Sequence, residues 1–259
     1  MILTIRSMLD YSLAAPSSAI LQIEAAALPD QQILESDLQL SPHSHFARVP
    51  ADEGVGQRVM LEISGQLRAD YSARVEISRP EPDLASLPAT PVHLLPAEAV
   101  RYLMGSRYCP SDRFQTYVAA EFSTTVGGAR VAALRDWIAS HLAYVPGTSD
   151  TGTTALETFV QRQGVCRDFA HLMIALARAS GIPARIASVY SPDADPPDFH
   201  AVADVFLDGA WHLVDPTGMS TPGRMARIGI GRDAADISFL TLYGSAAMTA
   251  QTVSVTVEP

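Results

Sequence analysis

The stretch Gly164-Val165-Cys166-Arg167-Asp168-Phe169-Ala170-His171 sets one of only two cysteines at the head of an apolar run. Val165, Phe169, Leu172, Met173 and Leu176 fall at helical spacing, and Gly181-Ile182-Pro183 ends the element. A thiol at a helix N-terminus meets unpaired backbone N–H groups and the positive end of the helix dipole. Both favour the thiolate, the form that attacks a carbonyl carbon. Asp168, in the first turn, complements the dipole. It lies about 200° around the helix from Cys166, so it need not touch the sulfur.

Downstream, Ala184 to Tyr190 reads as a strand. Ala201 to Leu207 and Trp211 to Val214 are also strand-like, and Asp208-Gly209 between them is a two-residue turn signal. With that turn, Leu207 faces Ala210, Phe206 faces Trp211 and Val202 faces Asp215. His200 then points to the same face as Asp215, one diagonal step away, about 7–8 Å at the backbone and within side-chain reach. A loop of odd length would separate them onto opposite faces. Cysteine, histidine and aspartate in this order are the parts of an acyl-transfer site: Cys166 as nucleophile, His200 as general acid and base, Asp215 holding the imidazole tautomer. The oxyanion needs a donor beside the Cys166 N–H, and both Tyr144 and Gln163 are candidates. Arg167 and Arg185 read as surface or ion-paired arginines, and Cys109 as a structural thiol.

The loop Ser191-Pro192-Asp193-Ala194-Asp195-Pro196-Pro197-Asp198 carries three aspartates. It lacks the glycine and closing glutamate of a calcium loop and reads as a rigid lead-in to Phe199 and His200. His43 and His45 read as solvated loop histidines without partners for a metal. No metal or cofactor is expected.

Upstream of the cysteine, Val131, Leu134, Ile138 and Leu142 predict a helix from about Gly128 to Ala143, with Trp137 and His141 on or beside its buried stripe. Pro146-Gly147 ends it, and Thr153-Thr154 caps a short helix through Thr158 and Phe159. Between Arg79 and Pro96 stand five prolines, which predict a linker over 79–96. Residues 1–78 read as β, with strands at Ile2 to Leu13, Ala19 to Glu24, Gln57 to Ile63 and Leu67 to Ile77, arranged as a small sandwich. A catalytic domain is expected over 97–259, with the alternating strand Thr252 to Val257 at an edge of its sheet.

The 259 residues suffice for one large domain or two small ones, and 47% hydrophobic with 18% charged content is that of a globular protein. A formal net charge of -10 argues against a nucleic-acid partner, because phosphates would go unneutralised. No apolar run approaches the roughly 20 residues of a membrane span. Met1-Ile2-Leu3-Thr4-Ile5-Arg6 lacks the pattern of a secretory leader, and two cysteines suit a reducing compartment; the expected location is cytoplasmic.

Gly164 to His171, with Arg178 and Gly181-Ile182-Pro183-Ala184-Arg185, resembles the core of bacterial transglutaminase-like proteins. Phe199-His200-Ala201 and Trp211 through Asp215-Pro216-Thr217 match its second and third motifs. Tyr108-Cys109-Pro110-Ser111-Asp112 and Gly231-Arg232-Asp233-Ala234-Ala235-Asp236 look like outer signatures of a subgroup with an N-terminal β domain. The resemblance implies an α+β, papain-like core with the nucleophile helix packed on an antiparallel sheet, preceded by a small β-sandwich. It also implies a Cys166–His200–Asp215 triad that transfers acyl groups from an amide through a thioester, as a peptidase, amidase or transglutaminase acting on a peptide or protein. Many relatives carry tryptophan two residues after the histidine, where this chain has Val202, so substrate identity does not transfer. No calcium site of the animal enzymes is recognisable. The competing account is an interaction module that keeps the fold without the chemistry.

Overall fold

Alternation of buried and exposed side chains shapes the first part of the chain. The structure, a computed structural model, describes residues 1–258. Six strands come first: β1 (Ile2–Leu13), β2 (Ser17–Leu21), β3 (Gln31–Leu40), β4 (His43–Pro50), β5 (Gln57–Ile63) and β6 (Gln66–Ile77). In β6, Leu67, Ala69, Tyr71, Ala73, Val75 and Ile77 are all buried, every second residue. The chain then runs through short turns to α1 (Ala97–Val100), α2 (Gln115–Glu121), α3 (Gly127–His141), β7 (Ala143–Tyr144), α4 (Ala155–Gln161), β8 (Gln163–Gly164) and α5 (Cys166–Ala179). Four further strands, β9 (Ala184–Tyr190), β10 (His200–Leu207), β11 (Ala210–Val214) and β12 (Ala226–Gly231), precede β13 (Leu240–Tyr243) and β14 (Ala246–Val257).

Three antiparallel four-stranded sheets result, ordered β14-β1-β6-β3, β13-β2-β5-β4 and β11-β10-β9-β12. The first two face each other over a core that includes Leu3, Leu9, Leu61 and Tyr71. In the third, β9 is buried at all seven positions. One face of that sheet receives Phe169, Met173, Leu176 and Ala177 of α5 beside Ile186, Ala203 and Val205. Toward the sandwich, Tyr190 enters the sandwich core, and its hydroxyl donates to Ile23 O at 2.8 Å. A helix layer, a sheet and a sandwich are thus stacked in order.

Three expectations are corrected. The strand at Thr252 to Val257 does not flank the third sheet: β14 pairs with β1 from Leu3↔Val257 to Leu13↔Ala246. Alternation marks a half-buried strand without naming its partner, and the long β1 offered the matching edge. By hydrogen bonding, residues 240–257 therefore belong with the sandwich, although the expected catalytic domain ran to residue 259. Strands β3 and β4 went unread because their mostly exposed residues carry little burial pattern, so His43 and His45 lie on an exposed strand, not in a loop. His141 is exposed rather than in the buried stripe of α3, and its ring stacks on half-buried Trp137 at 4.5 Å between centroids.

The contact between sheet and sandwich is ionic at its centre. Asp204 of β10 is fully buried, with Arg185 Nε at 2.9 Å and Arg227 Nη2 at 3.0 Å. Arg185 also reaches Glu53 of the sandwich at 2.7 Å and lies 3.8 Å over the Trp211 ring. The Tyr102 hydroxyl donates to the other Glu53 oxygen at 2.7 Å. A buried carboxylate between two arginines is tolerable only while both partners stay. Asp204→Asn leaves buried Arg227 without a counter-ion and Arg185 with Glu53 alone, and is expected to lower unfolding stability by about 3–5 kcal/mol. Urea denaturation measures it, and a loss below about 1 kcal/mol would show that the network is not needed.

Candidate active site

Two local devices set the position of Cys166. The N–H of Val165 donates to Asp168 Oδ2 at 2.8 Å, so the carboxylate folds back over the helix start and closes it. That return crosses Gly164, where an added Cβ would sit 2.7 Å from the Asp168 Cβ; the glycine is the space the carboxylate uses. The second device is the two-residue parallel pairing of β7 with β8, which places Tyr144 opposite Gly164. Cys166 then opens α5 half-buried, its sulfur beside a cleft of about 160 Å³ whose lining includes Tyr144, Val165, Pro196, His200 and Met219.

The hairpin folds as its sequence suggests. Asp208 and Gly209 both take positive φ, 49° and 75°, as a primed turn requires, and Leu207 pairs with Ala210 and Phe206 with Trp211. His200 and Asp215 consequently share a face, and His200 Nε2 lies 2.9 Å from Asp215 Oδ2. Both side chains are buried. Asp215 Oδ1 accepts from the N–H and hydroxyl of Thr217 at 2.9 and 2.7 Å, and Oδ2 also accepts from Ser220 N–H at 3.1 Å. The sequence marks Thr217 only as part of the Asp215-Pro216-Thr217 motif, without a role, and Ser220 not at all. An aspartate followed two residues later by threonine is an Asx-turn signal that would have found the first.

Electrostatics couple the three groups. Burial, the largest influence on His200, opposes its charge; hydrogen bonds to Asp215 and then Cys166 outweigh it and hold the imidazolium up to about 10. Burial likewise opposes ionisation of Asp215, yet the bond and charge of His200, followed by Thr217, hold its carboxyl below the usual range. With Nε2 engaged by Asp215, Nδ1 is the ring nitrogen left for the sulfur. Tyr144 is pushed up to about 12, by burial first and then by Cys166, whose backbone N–H and thiol both lie against its hydroxyl. The phenol therefore stays protonated near neutrality. Gln163 pairs through its backbone with Ala143 and is not among the cleft-lining residues. Cys109 is fully buried, and burial pushes its thiol up to about 12.

The outer signatures fasten α5 from behind. Asp233 Oδ2 accepts from Tyr108 N–H at 2.8 Å, and Ala234 N–H donates to His171 Nε2 at 3.1 Å. His171 stacks on Tyr108 with centroids 5.1 Å apart. Burial above all drives its pKa down to about 3, against the pull of Asp233, so this ring is neutral. Arg178 binds four groups: the carbonyls of Ala184, Met104 and Arg232 and the Ser106 hydroxyl. Val202, where tryptophan was expected of relatives, is fully buried in an apolar cluster with Ala187 and Leu213.

A pH dependence follows with a definite sign. The raised His200 pKa contributes stability that is complete below about 6.5 and is lost as pH rises through about 10. The depressed Asp215 contributes stability above about 3.8 that is lost as pH falls through its folded value. Thermal melts of the protein and Asp215→Asn are expected to differ most between about pH 4 and 6.5 and to converge toward pH 10. A pH-independent difference would show that the pair is uncharged.

Residues 114–216 match the transglutaminase-like superfamily. The crystal structure of a "putative cysteine protease" from Cytophaga hutchinsonii is similar along almost the whole chain. It is 31% identical, with a TM-score of 0.90, over 99% of this chain and 90% of that one. An uncharacterized protein of Mycobacterium leprae is 36% identical over 117 residues, 42% of this chain and 41% of that protein. An uncharacterized protein of Mycobacterium tuberculosis is 32% identical over 149 residues, 50% of this chain and 48% of that protein. The chain thus spans about half the length of these curated relatives, or less. Among the described residues no helix is long and apolar enough to cross a membrane.

Proposed function

The chain belongs to the transglutaminase-like superfamily, and from that membership and the site geometry we propose a cysteine-dependent acyl-transfer enzyme acting on an amide or peptide bond. One observation carries the reading: a half-exposed thiol opens α5 against His200, whose far nitrogen is tied to a buried carboxylate at 2.9 Å. The designation of the Cytophaga protein supports a peptide or protein substrate.

In this reading the Cys166 thiolate adds to the carbonyl carbon, and the C=O electron pair moves onto oxygen. The Cys166 N–H and the Tyr144 hydroxyl would donate to that oxyanion, a role supported by their closeness to each other at the cleft. As the tetrahedral intermediate collapses, the C–N bond breaks and His200 gives its proton to the departing nitrogen, leaving a thioester. Neutral His200 then takes a proton from the acceptor as it attacks, the C–S bond breaks, and the thiolate–imidazolium pair returns. Asp215 stays ionised throughout and keeps the ring oriented. Water as acceptor gives hydrolysis and a primary amine gives transamidation; the steps to the thioester are common to both. All 18 basic side chains are arginine, so the chain offers no lysine amine to its own acyl-enzyme.

Iodoacetamide at mildly acidic pH is expected to label Cys166 far faster than buried Cys109, and His200→Ala removes the advantage. Equal, slow labelling of both would favour the interaction-module account. Tyr144→Phe is expected to lower turnover by about 10²- to 10³-fold while the thiol still labels; unchanged turnover would remove Tyr144 from the oxyanion site. A glutaminyl peptide with a labelled amine, followed for ammonia release and for amine incorporation, separates the acceptors. Ammonia without incorporation assigns water.

A further inference from the structure

The cleft before Cys166 has charge of one sign on its outer wall. The loop over residues 191–199 carries three aspartates, and the fold treats them differently. Asp193 is neutralised by Arg224, whose Nε and Nη2 reach its two oxygens at 2.6 and 2.7 Å. Asp195 and Asp198 are exposed, and among the described residues neither has an arginine or histidine within ion-pair distance. These two, and not Asp193, line the cleft with Cys166, His200 and Tyr144. Arg167, next to the nucleophile, does not compensate them, because its guanidinium donates to the Asp150 carbonyl at 2.8 Å and pairs with Asp168. The only basic group in the lining is His200, which is matched by Asp215.

Asp198 is also held in place from outside the catalytic sheet. Its Oδ1 accepts from Phe199 N–H and from the Gln251 side-chain amide, both at 2.7 Å. Gln251 lies on β14, opposite Leu9 of β1. The Asp198 charge reaches Tyr11 of the sandwich as well as Tyr144: both hydroxyls are raised, by burial first, with Asp198 contributing at each. A carboxylate left without a counter-ion, clamped by a neutral amide and directed at a nucleophile's cleft, is a fixed negative charge available to substrate.

We propose that Asp195 and Asp198 make this cleft selective for a substrate carrying a cationic group, an alkylammonium or guanidinium, beside the reacting carbonyl. Gln251 acts as the positioning residue for Asp198. The proposal rests on Cys166 being the nucleophile, but its test separates the two claims. Cys166 is modified with three thiosulfonates: the neutral methyl reagent, the cationic 2-(trimethylammonium)ethyl reagent and the anionic 2-sulfonatoethyl reagent. Each rate is divided by that of 2-mercaptoethanol, and the modified residue is assigned by peptide mass.

Two unit charges roughly 8 Å from a sulfur in water-like surroundings would favour the cation over a neutral reagent by about fivefold and disfavour the anion by the same factor. The normalised cation-to-anion ratio is thus expected to be about 25 or higher, and to fall in high salt. Asp195→Asn/Asp198→Asn is expected to bring the ratio down at least fivefold. Gln251→Ala is expected to lower it in part while leaving the neutral rate unchanged, a split that general loosening of the fold would not produce. A ratio near that of the free thiol, or one indifferent to the double substitution, overturns the selectivity. The neutral reagent reports on the other claim: a slow rate unaffected by His200→Ala would remove the nucleophile reading while leaving the charge ratio to be judged by itself.

Discussion

Burial of the β9–β10 layer on both faces is the constraint from which the rest of the molecule follows. With α5 on one side and the sandwich on the other, no strand of that layer is free to shift without opening a core. Cys166 is carried by the helix and His200 by the layer itself, so their mutual placement is set by side-chain packing between Phe169, Met173, Ala203 and Val205 rather than by a flexible loop. Asp204 stands in the middle of this layer, where an unmatched charge would be intolerable. Its two arginines, and Glu53 beyond them, convert that liability into a fixed orientation between sheet and sandwich.

The two inward histidines of the core show how environment divides one residue type into two roles. His171, on α5, is surrounded by burial and arginines and receives a backbone N–H, so it is a neutral wedge beneath the nucleophile helix. His200 is nearly as buried, yet it faces a carboxylate and a thiol and is held charged. Neither state is written in the residue; each follows from what the neighbouring segments bring.

What could be read from the sequence was what local chemistry determines. The Asp208-Gly209 turn sets a parity, and parity alone brings His200 and Asp215 to one face. The helix start at Cys166 is similarly local, marked by Gly164 and Asp168 within four residues. Long-range partners were not legible. Thr252 to Val257 alternates cleanly but says nothing of β1, nearly the full chain away. Strand β4 is exposed at all but one position and β3 buries, wholly or in part, only scattered residues such as Ile33 and Leu38, so both lack the regular alternation by which strands are recognised. Tyr144 and Gln163 are equivalent in the sequence, because the β7–β8 pairing that sets Tyr144 opposite Gly164 and leaves Gln163 outside the cleft lining is a long-range contact. One long-range clue was present: a charged residue at Asp204 inside a largely apolar strand asks for buried partners, and Arg185 lies on the neighbouring β9 and Arg227 on β12, the strand after it.

The return of β13 and β14 to the first sheets gives the helix-and-sheet core the topology of an insertion, a long excursion leaving the sandwich after β6 and rejoining it before β13. Such a core is moored at two points instead of one. A single covalent connection permits swivelling about any axis, whereas two leave only rotation about the line between them, and the ionic seam at Asp204 resists even that. Asp198, which lines the cleft and is bonded to Gln251 of β14, is therefore tied to the same frame as the thiol.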